Sequence, residues 1–552
     1  MSESPVERIK KASRGLRGTL KESLLDEHTG AIREDDQALV KFHGMYLQDD
    51  RDRREERAAK KLERLYSFMI RLRLPGGLLT PERWETLHHV AGEQSTGVIK
   101  ITTRQTIQLH GILKSHVKPA ISAFNKVHLD SIAACGDVNR NVICSAHPKY
   151  SAIHEEIFPY ANKISSFLLP KTKAWYEIWL DEEKLAEVSE EDPLYENRYL
   201  PRKFKIAIAI PPYNDVDVFT NDIGLIAVVE QNKLIGFNVA AGGGMGTTHG
   251  NPETYPRLGT VLGFVKPGDL LKVVYEIVTV QRDNGNRSDR KLSRLKYTID
   301  RMGVDVFKAE VERRSGVQFE PAKKIVFTYR HDNYGWHQNH EGLWYYTAFI
   351  ENGRIYDDEQ VQFKQAFFEI AQTRRAQFRF TCNQNLIIGD IKEEDKSLVE
   401  EMLDKYGVIK FTNEASPVRK NSMACVALNT CPLALAEAQR YLPSLVTKIE
   451  AILAKYKLQN EGINIRMTGC PNGCARPYIS EIGFIGTALG KYNMHLGADV
   501  IGTRLNKIYK EGLTEEEILY ELDVLFQRFV TTRKKKEAFG DFVMREQIVQ
   551  SP

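Results

Sequence analysis

No window of the 552-residue sequence approaches the roughly 18 consecutive apolar residues that a membrane-crossing helix needs. The N-terminal stretch MSESPVERIKKASRGLRGTL is positively charged but has no apolar core, so it does not read as a secretory signal. Neither sign of charge dominates: Lys plus Arg total 77 and Asp plus Glu 73, a formal net charge of +4. That balance argues against a polybasic nucleic-acid binder, although a local basic cluster can sit inside a neutral total. Cysteine is scarce and odd in number, seven in all, which argues against the disulfide framework of a secreted domain. There is no Walker A sequence, no GxGxxG between a strand and a helix, and no other flavin- or nicotinamide-binding signature. A cytoplasmic, soluble chain of about three to four domains is therefore expected, with no membrane or nucleic-acid partner.

Residues 1–63 are read as a highly charged arm. Its run DDRDRREERAAKKLER, 49–64, mixes signs at helical spacing and predicts a solvated helix. Order is expected to begin at Ser67. In SFMIRLRLPGG, Phe68, Ile70, Leu72 and Leu74 alternate with Met69, Arg71 and Arg73, the pattern of a half-buried strand ending in a Pro-Gly-Gly turn. A helix is predicted from about Pro81 to Gly92. IKITTRQTIQLHGI, 99–112, then reads as a strand with Ile99, Ile101, Ile107 and Leu109 on one face. Lys100, Arg104, Gln108 and His110 take the other.

The layout recurs. WYYTAFIENGRI, 344–355, resembles the first strand and turn, and FRFTCNQNLIIGDI, 378–391, aligns with 99–112 at a constant offset, Thr102 meeting Thr381 and Gln105 meeting Gln384. DIGLI, 222–226, and EIGFI, 481–485, are each followed by N-x-x-x-G, at 238–242 and 493–497. An internal duplication follows, with a crevice between the halves of the kind that cofactors occupy.

Four cysteines pair up: Cys425 and Cys431 as C-x5-C, Cys470 and Cys474 as C-x3-C in MTGCPNGCARP. Four soft thiolates on two tight turns can reach the four irons of a cubane cluster. Pro432 suits the first position of a helix over PLALAEAQRYL, which would put Cys431 at an anion-favouring N-terminus. Pro471 and Gly473 shape a tight loop. Scattered core cysteines and a four-cysteine zinc site are the rival readings, and C-x5-C fits zinc spacing poorly. Cys135, Cys144 and Cys382 have no partner at ligand spacing and read as structural.

Basic residues concentrate on short strands and glycine loops. In LPRKFKIAIAIPP, 200–212, Lys203 and Lys205 share a face with Ala207 and Ala209, leaving room for an anion beside two ammonium groups. NRNVIC places Arg140 near Cys144, and QRDNGNRSDRKLSRLKY, 281–297, adds more Arg and Lys. AAGGGMGTTHG, 240–250, could lay backbone N–H groups against carboxylates or phosphates. The pattern points to a polyanionic cofactor or a small oxyanion.

These motifs carry a resemblance. HGMYLQDDRD (43–52), RLRLPGG (71–77), TTRQTIQLHGI (102–112), NRNVIC (139–144), YLPRKFK (199–205), NSMAC with its second cysteine in CPLA, and TGCPNGC (468–474) are similar to those of the sulfite and nitrite reductases that bind siroheme and a [4Fe–4S] cluster. They span nearly the whole chain. HGMYLQDDRD and NSMAC point toward the sulfite branch, and the chain as a whole resembles the hemoproteins of assimilatory, NADPH-dependent sulfite reduction.

The resemblance implies an α+β, internally duplicated, pseudo-twofold fold around a central siroheme. It implies ferredoxin-like half-domains at 64–133 and 334–410, a siroheme- and substrate-binding domain at 134–333, and a cluster-binding domain at 411–552. Cys425, Cys431, Cys470 and Cys474 would ligate the cluster, and the Cys474 thiolate would also bind the siroheme iron. Arg71, Arg140, Lys203 and Lys205 would face sulfite. Lys100, Arg104, His110 and Arg294 would hold siroheme carboxylates. At Lys100 a relative carries arginine and at Arg294 lysine, which keeps the charge but alters its hydrogen-bond geometry. The implied activity is six-electron reduction of sulfite to sulfide in sulfate assimilation and cysteine biosynthesis, with electrons from NADPH through a partner flavoprotein (the alpha component, carrying FAD and FMN). A ferredoxin-dependent sulfite or nitrite reductase and a non-catalytic metal-binding protein are the alternatives.

Overall fold

The computed structural model describes residues 3–146, 151–180 and 192–549. The stretches 147–150 and 181–191 of the expected 134–333 domain lie outside the described residues, as do both chain ends. Within the described residues the strands form four five-stranded sheets, two of one topology and two of another.

The first sheet orders its strands Met45–Asp49, Tyr66–Arg71, Ile107–Ile112, Ile99–Ile101 and Arg354–Ile355. Its counterpart orders Gly335–Gln338, Trp344–Ala348, Leu386–Ile391, Gln377–Phe380 and Leu78–Leu79. The last strand of each sheet comes from the other half: Leu79 pairs with Phe378, and Arg354 with Lys100. This reciprocal exchange covers two edges that would otherwise expose unpaired backbone groups. Trp84, fully buried on the helix Pro81–Gln94, cements the same junction by stacking on Phe378 at 4.6 Å and meeting Phe367 edge-on at 5.6 Å.

The stretch 99–112 is a hairpin, not one strand. Thr102 N donates to Thr106 O at 2.7 Å, and Gln105 takes a left-handed φ of 49°. The second copy repeats the turn: Thr381 N donates to Asn385 O at 3.0 Å, and Gln384 has φ 67°. The two faces survive the misreading, because Lys100 pairs directly across from Gln108.

The other two sheets match each other as well. Ile143–Cys144, Ile206–Ala209 and Ile223–Glu230 run parallel, followed by antiparallel Lys233–Ala241 and Thr260–Val265. Ser422–Ala424, Ile465–Thr468 and Ile482–Ala488 run parallel, followed by antiparallel Lys491–Leu496 and Lys507–Leu513. One apolar core runs from the arm to Val408, and a second fills the cysteine-bearing unit.

Order begins well before Ser67. Leu16, Leu20, Leu39, Val40, Phe42 and Met45 are buried, and Met45–Asp49 is a sheet strand. Glu7 and Lys10 of the helix Pro5–Ala12 are buried as a 2.5 Å ion pair, with Lys10 also donating to Leu200 O. In the charged run 49–64, only Arg54–Ala59 is α-helical.

Candidate cofactor and active site

A cavity of about 450 Å³ opens between the two halves. Its walls bring together Arg71, Lys100, Arg104, His110, Arg140, Lys203 and Lys205 with Cys425, Cys431, Cys470 and Cys474. Arg294 is not on this wall: its Nη2 donates to Asp222 Oδ2 at 2.8 Å, and it lines smaller neighbouring pockets, one of them with Arg104, Lys203, Lys205 and Cys474.

The cations divide by partner. Arg71 lies between Cys135 Sγ (3.0 Å) and Gln108 Oε1 (2.8 Å). Arg140 donates to Gly136 O from Nε and Nη2. Burial works against its charge, but Tyr46, Cys135 and Asp137 more than offset this, and its pKa is raised. Arg104 is already committed to Asn221 Oδ1, Asn141 O and Ile206 O, with only Nε lacking a partner. Lys100 donates to Asn352 O. Among the described residues, the ammonium groups of Lys203 and Lys205 have no hydrogen-bond acceptor. Burial, then Arg202, Arg140 and Arg294, push Lys203 down to about 7. Lys205 is pushed well down by burial and by Lys203, Arg104 and Arg294. Half-buried cations that repel one another at the cavity wall suit an anionic ligand. His110 adds a buried Nε2 without a partner, while its Nδ1 lies 2.9 Å from Gln48 Oε1.

The cysteine loops are built for close approach. Gly473 has φ 63°, and a Cβ there would meet Met245 O at 3.0 Å. The expected helix over PLALAEAQRYL does not form; the helix starts at Leu442. The Leu435 and Ala436 amides donate instead to Gly469 O at 2.7 and 3.0 Å, and Gln439 N to Cys425 O at 3.1 Å. The segment therefore ties the two cysteine loops together, and Cys431 gains no helix N-terminus. The glycine loop also differs from expectation: the Gly242, Gly243 and Gly244 amides donate to Asp222 O, Asn221 O and Arg257 O. What faces the cysteine loop is its end, where Thr247 N donates to Pro471 O at 2.9 Å.

Cys474 is exposed, Cys470 buried, and Cys425 and Cys431 intermediate. Burial and the neighbouring thiols raise Cys425, Cys431 and Cys470, Cys431 to about 12. Deprotonating such a set requires bound cations of high charge. Tetrahedral zinc would draw the sulfurs to about 3.8 Å of one another, given a Zn–S bond of about 2.3 Å. Among the described residues, the one set of three or more such ligand atoms all within 4.8 Å is Glu155, His340 and Glu341, which are exposed. The thiols are thus spread too widely for one zinc ion, as a larger cluster requires. Cys135, Cys144 and Cys382 are buried.

The description "Nitrite/Sulfite reductase ferredoxin-like half domain" matches residues 61–127 and 337–406. "Nitrite and sulphite reductase 4Fe-4S domain" matches 160–319. Over 544 residues the chain is 67% identical to a protein of Leptospira biflexa named sulfite reductase [NADPH] hemoprotein beta-component, covering 98% of each. The chain belongs to the nitrite and sulphite reductase family. A protein of the same name from Geobacillus thermodenitrificans is 52% identical, over 99% of this chain and 96% of that one. The solved structure of Mycobacterium tuberculosis NirA shares the fold at TM-score 0.80, with 24% identity and 99% and 97% coverage. The 160–319 match contains none of the four cysteines, which sit beside the topologically equivalent sheet of the other half.

The family's siroheme and [4Fe–4S] cluster fit the residues present. His110 Nε2, without a partner, suits a siroheme carboxylate, the unpaired ammonium groups of Lys203 and Lys205 suit a small oxyanion, and four soft thiolates on one cavity suit four irons. Sequence reasoning missed Lys41, Tyr46, Gln48, Arg202, Arg290 and Asn472, which also line the cavity. Tyr46 and Gln48 lie inside the HGMYLQDDRD motif, so attention to that segment's alternation would have found them. The isolated position of Lys41 offered no such signal.

Proposed function

We propose that this chain is the hemoprotein component of an assimilatory, NADPH-dependent sulfite reductase. It reduces sulfite to sulfide, adding six electrons and enough protons to release three oxygens as water. The observation that carries this reading is one cavity shared by four cysteines and a set of half-buried cations, of which Lys203 and Lys205 have no acceptor. Siroheme and the cluster supply the electrons and the iron that binds sulfur. Cys425, Cys431, Cys470 and Cys474 would hold the cluster, and Cys474 would also hold the siroheme. Lys100, Arg104, His110 and Arg294 form the shell toward the siroheme carboxylates, Arg104 and Arg294 mainly by fixing the backbone and Asp222.

Arg71, Arg140, Lys203 and Lys205 face the substrate. The guanidinium groups bind the oxyanion as lasting positive charge. Lys203, pushed down to about 7 by burial and the neighbouring arginines, is poised to give up a proton near neutrality. A bound anion raises that value and keeps the proton in place until it is needed.

The chain carries no nicotinamide or flavin motif, so a flavoprotein alpha component carrying FAD and FMN delivers electrons to the cluster side, in the cytoplasm. The relatives above are named for NADPH, and the ferredoxin-dependent alternative is not favoured. Sulfite-dependent NADPH oxidation should appear only when that flavoprotein is added. NADPH oxidation by the purified chain alone would overturn this reading.

A further inference from the structure

We propose that Asp217 is a positioning residue that seats the Cys470–Cys474 loop, acting through Arg476 across the pseudo-twofold interface. This rests on the reading of Cys474 as the bridging ligand.

Arg476 lies two residues after Cys474, in a left-handed turn of φ 56°. Its guanidinium serves three separate elements. Nε donates to Asp217 Oδ2 at 2.6 Å, Nη1 to Thr103 O at 3.0 Å and Nη2 to Cys382 O at 3.1 Å. Thr103 and Cys382 are equivalent positions of the two hairpin turns, at the offset that relates Thr102 to Thr381. One side chain thus binds the same carbonyl in both repeats, which places it on the axis between them. Thr103 Oγ1 in turn donates to Cys474 O at 3.1 Å. The cysteine loop is therefore fastened to both half-domains through one residue.

Asp217 fixes that residue. It occupies the matching left-handed turn of the first half, φ 48°, before Ile223–Glu230 as Arg476 stands before Ile482–Ala488. Equivalent turns carry opposite charges and pair with each other. Asp217 Oδ2 also accepts from Arg466 Nη1 at 2.7 Å, and Arg330 lies 3.7 Å from Oδ1. Arg466 belongs to the strand that runs into the TGCPNGC loop. All four side chains are buried. One carboxylate thus orients two arginines on either side of the cysteine pair, and leaves surplus positive charge beneath a loop assigned to an anionic cluster.

The test compares holoenzymes of wild type, Asp217→Asn, Asp217→Glu and Cys474→Ser. The expected result for Asp217→Asn is a kcat lower by on the order of ten- to a hundred-fold, with KM within about two-fold, because a displaced loop misplaces the reacting centre. The EPR and visible signatures of siroheme–cluster coupling should weaken in step, and Asp217→Glu should restore part of both. If Asp217→Asn lowers thermal stability but keeps wild-type coupling and kcat, the residue is only structural and the proposal fails. If Asp217→Asn does not accumulate folded, Arg476→Lys gives the same readout, since lysine cannot serve three separated acceptors. Normal coupling in Cys474→Ser would instead refute the bridging reading, whatever Asp217 does.

Discussion

Replacing Lys203 by methionine should stabilise the apoprotein while destroying the activity of the holoenzyme. The half-buried Lys203 ammonium lies among Arg202, Arg140 and Arg294, with the Cys474 thiol as its opposing neighbour, and its pKa falls from 10.5 to about 7. At about 1.4 kcal/mol per pH unit, that shift corresponds to a cost on the order of 5 kcal/mol for the charged form in the folded apoprotein. Water entering the cavity screens the charges, so roughly 1–3 kcal/mol is expected in practice. The sign follows from proton counts. Between about pH 7 and pH 10.5 the unfolded chain holds this proton and the folded chain does not, so the stability of the apoprotein should rise with pH in that window. Below pH 7 the full penalty applies. Lys203→Met removes both the penalty and its share of the slope, while kcat/KM for sulfite should fall by about 10²-fold or more, the size of a lost general acid. Thermal melts of the two apoproteins from pH 6 to 10, with sulfite assays of the two holoenzymes, read every part. A methionine variant less stable than wild type at pH 7, or one with unchanged activity, would refute the reasoning.

Lys205→Ala should lose sulfite reduction while retaining both cofactors; loss of siroheme from this variant would move Lys205 to the carboxylate shell. Trp84→Ala should cost about 3–5 kcal/mol by emptying the junction of the half-domains, read as a lower melting temperature with little change in cofactor content.

The duplication was legible in the sequence because its turns repeat chemically: Thr102 and Thr381 close the same backbone bond, and Gln105 and Gln384 take the same left-handed conformation. The four cysteines and the cavity cations Arg71, Lys100, Arg104, Arg140, Lys203 and Lys205 were legible from spacing, motif and strand alternation, whereas Lys41, Arg202 and Arg290 were not. The exchanged strands were not, since Leu78–Leu79 and Arg354–Ile355 are two residues each and carry no periodicity. The misplaced helix after Cys431 has a physical cause: its amides are taken by Gly469 O and Cys425 O, a tertiary competition that helix propensity does not register. Order was expected only from Ser67 because the arm's charges are dense, yet Glu7 and Lys10 satisfy each other in the interior. The Asp217 cluster draws on Arg330, Arg466 and Arg476, far apart in the chain, so only the folded halves bring it together.

The most direct test of the central claim is a visible spectrum, with iron and sulfide analysis, of the chain produced where siroheme is available. The account predicts strong siroheme bands and one siroheme iron plus a four-iron, four-sulfide cluster per chain. A colourless protein, or one whose iron and sulfide show a cluster without siroheme, would contradict it.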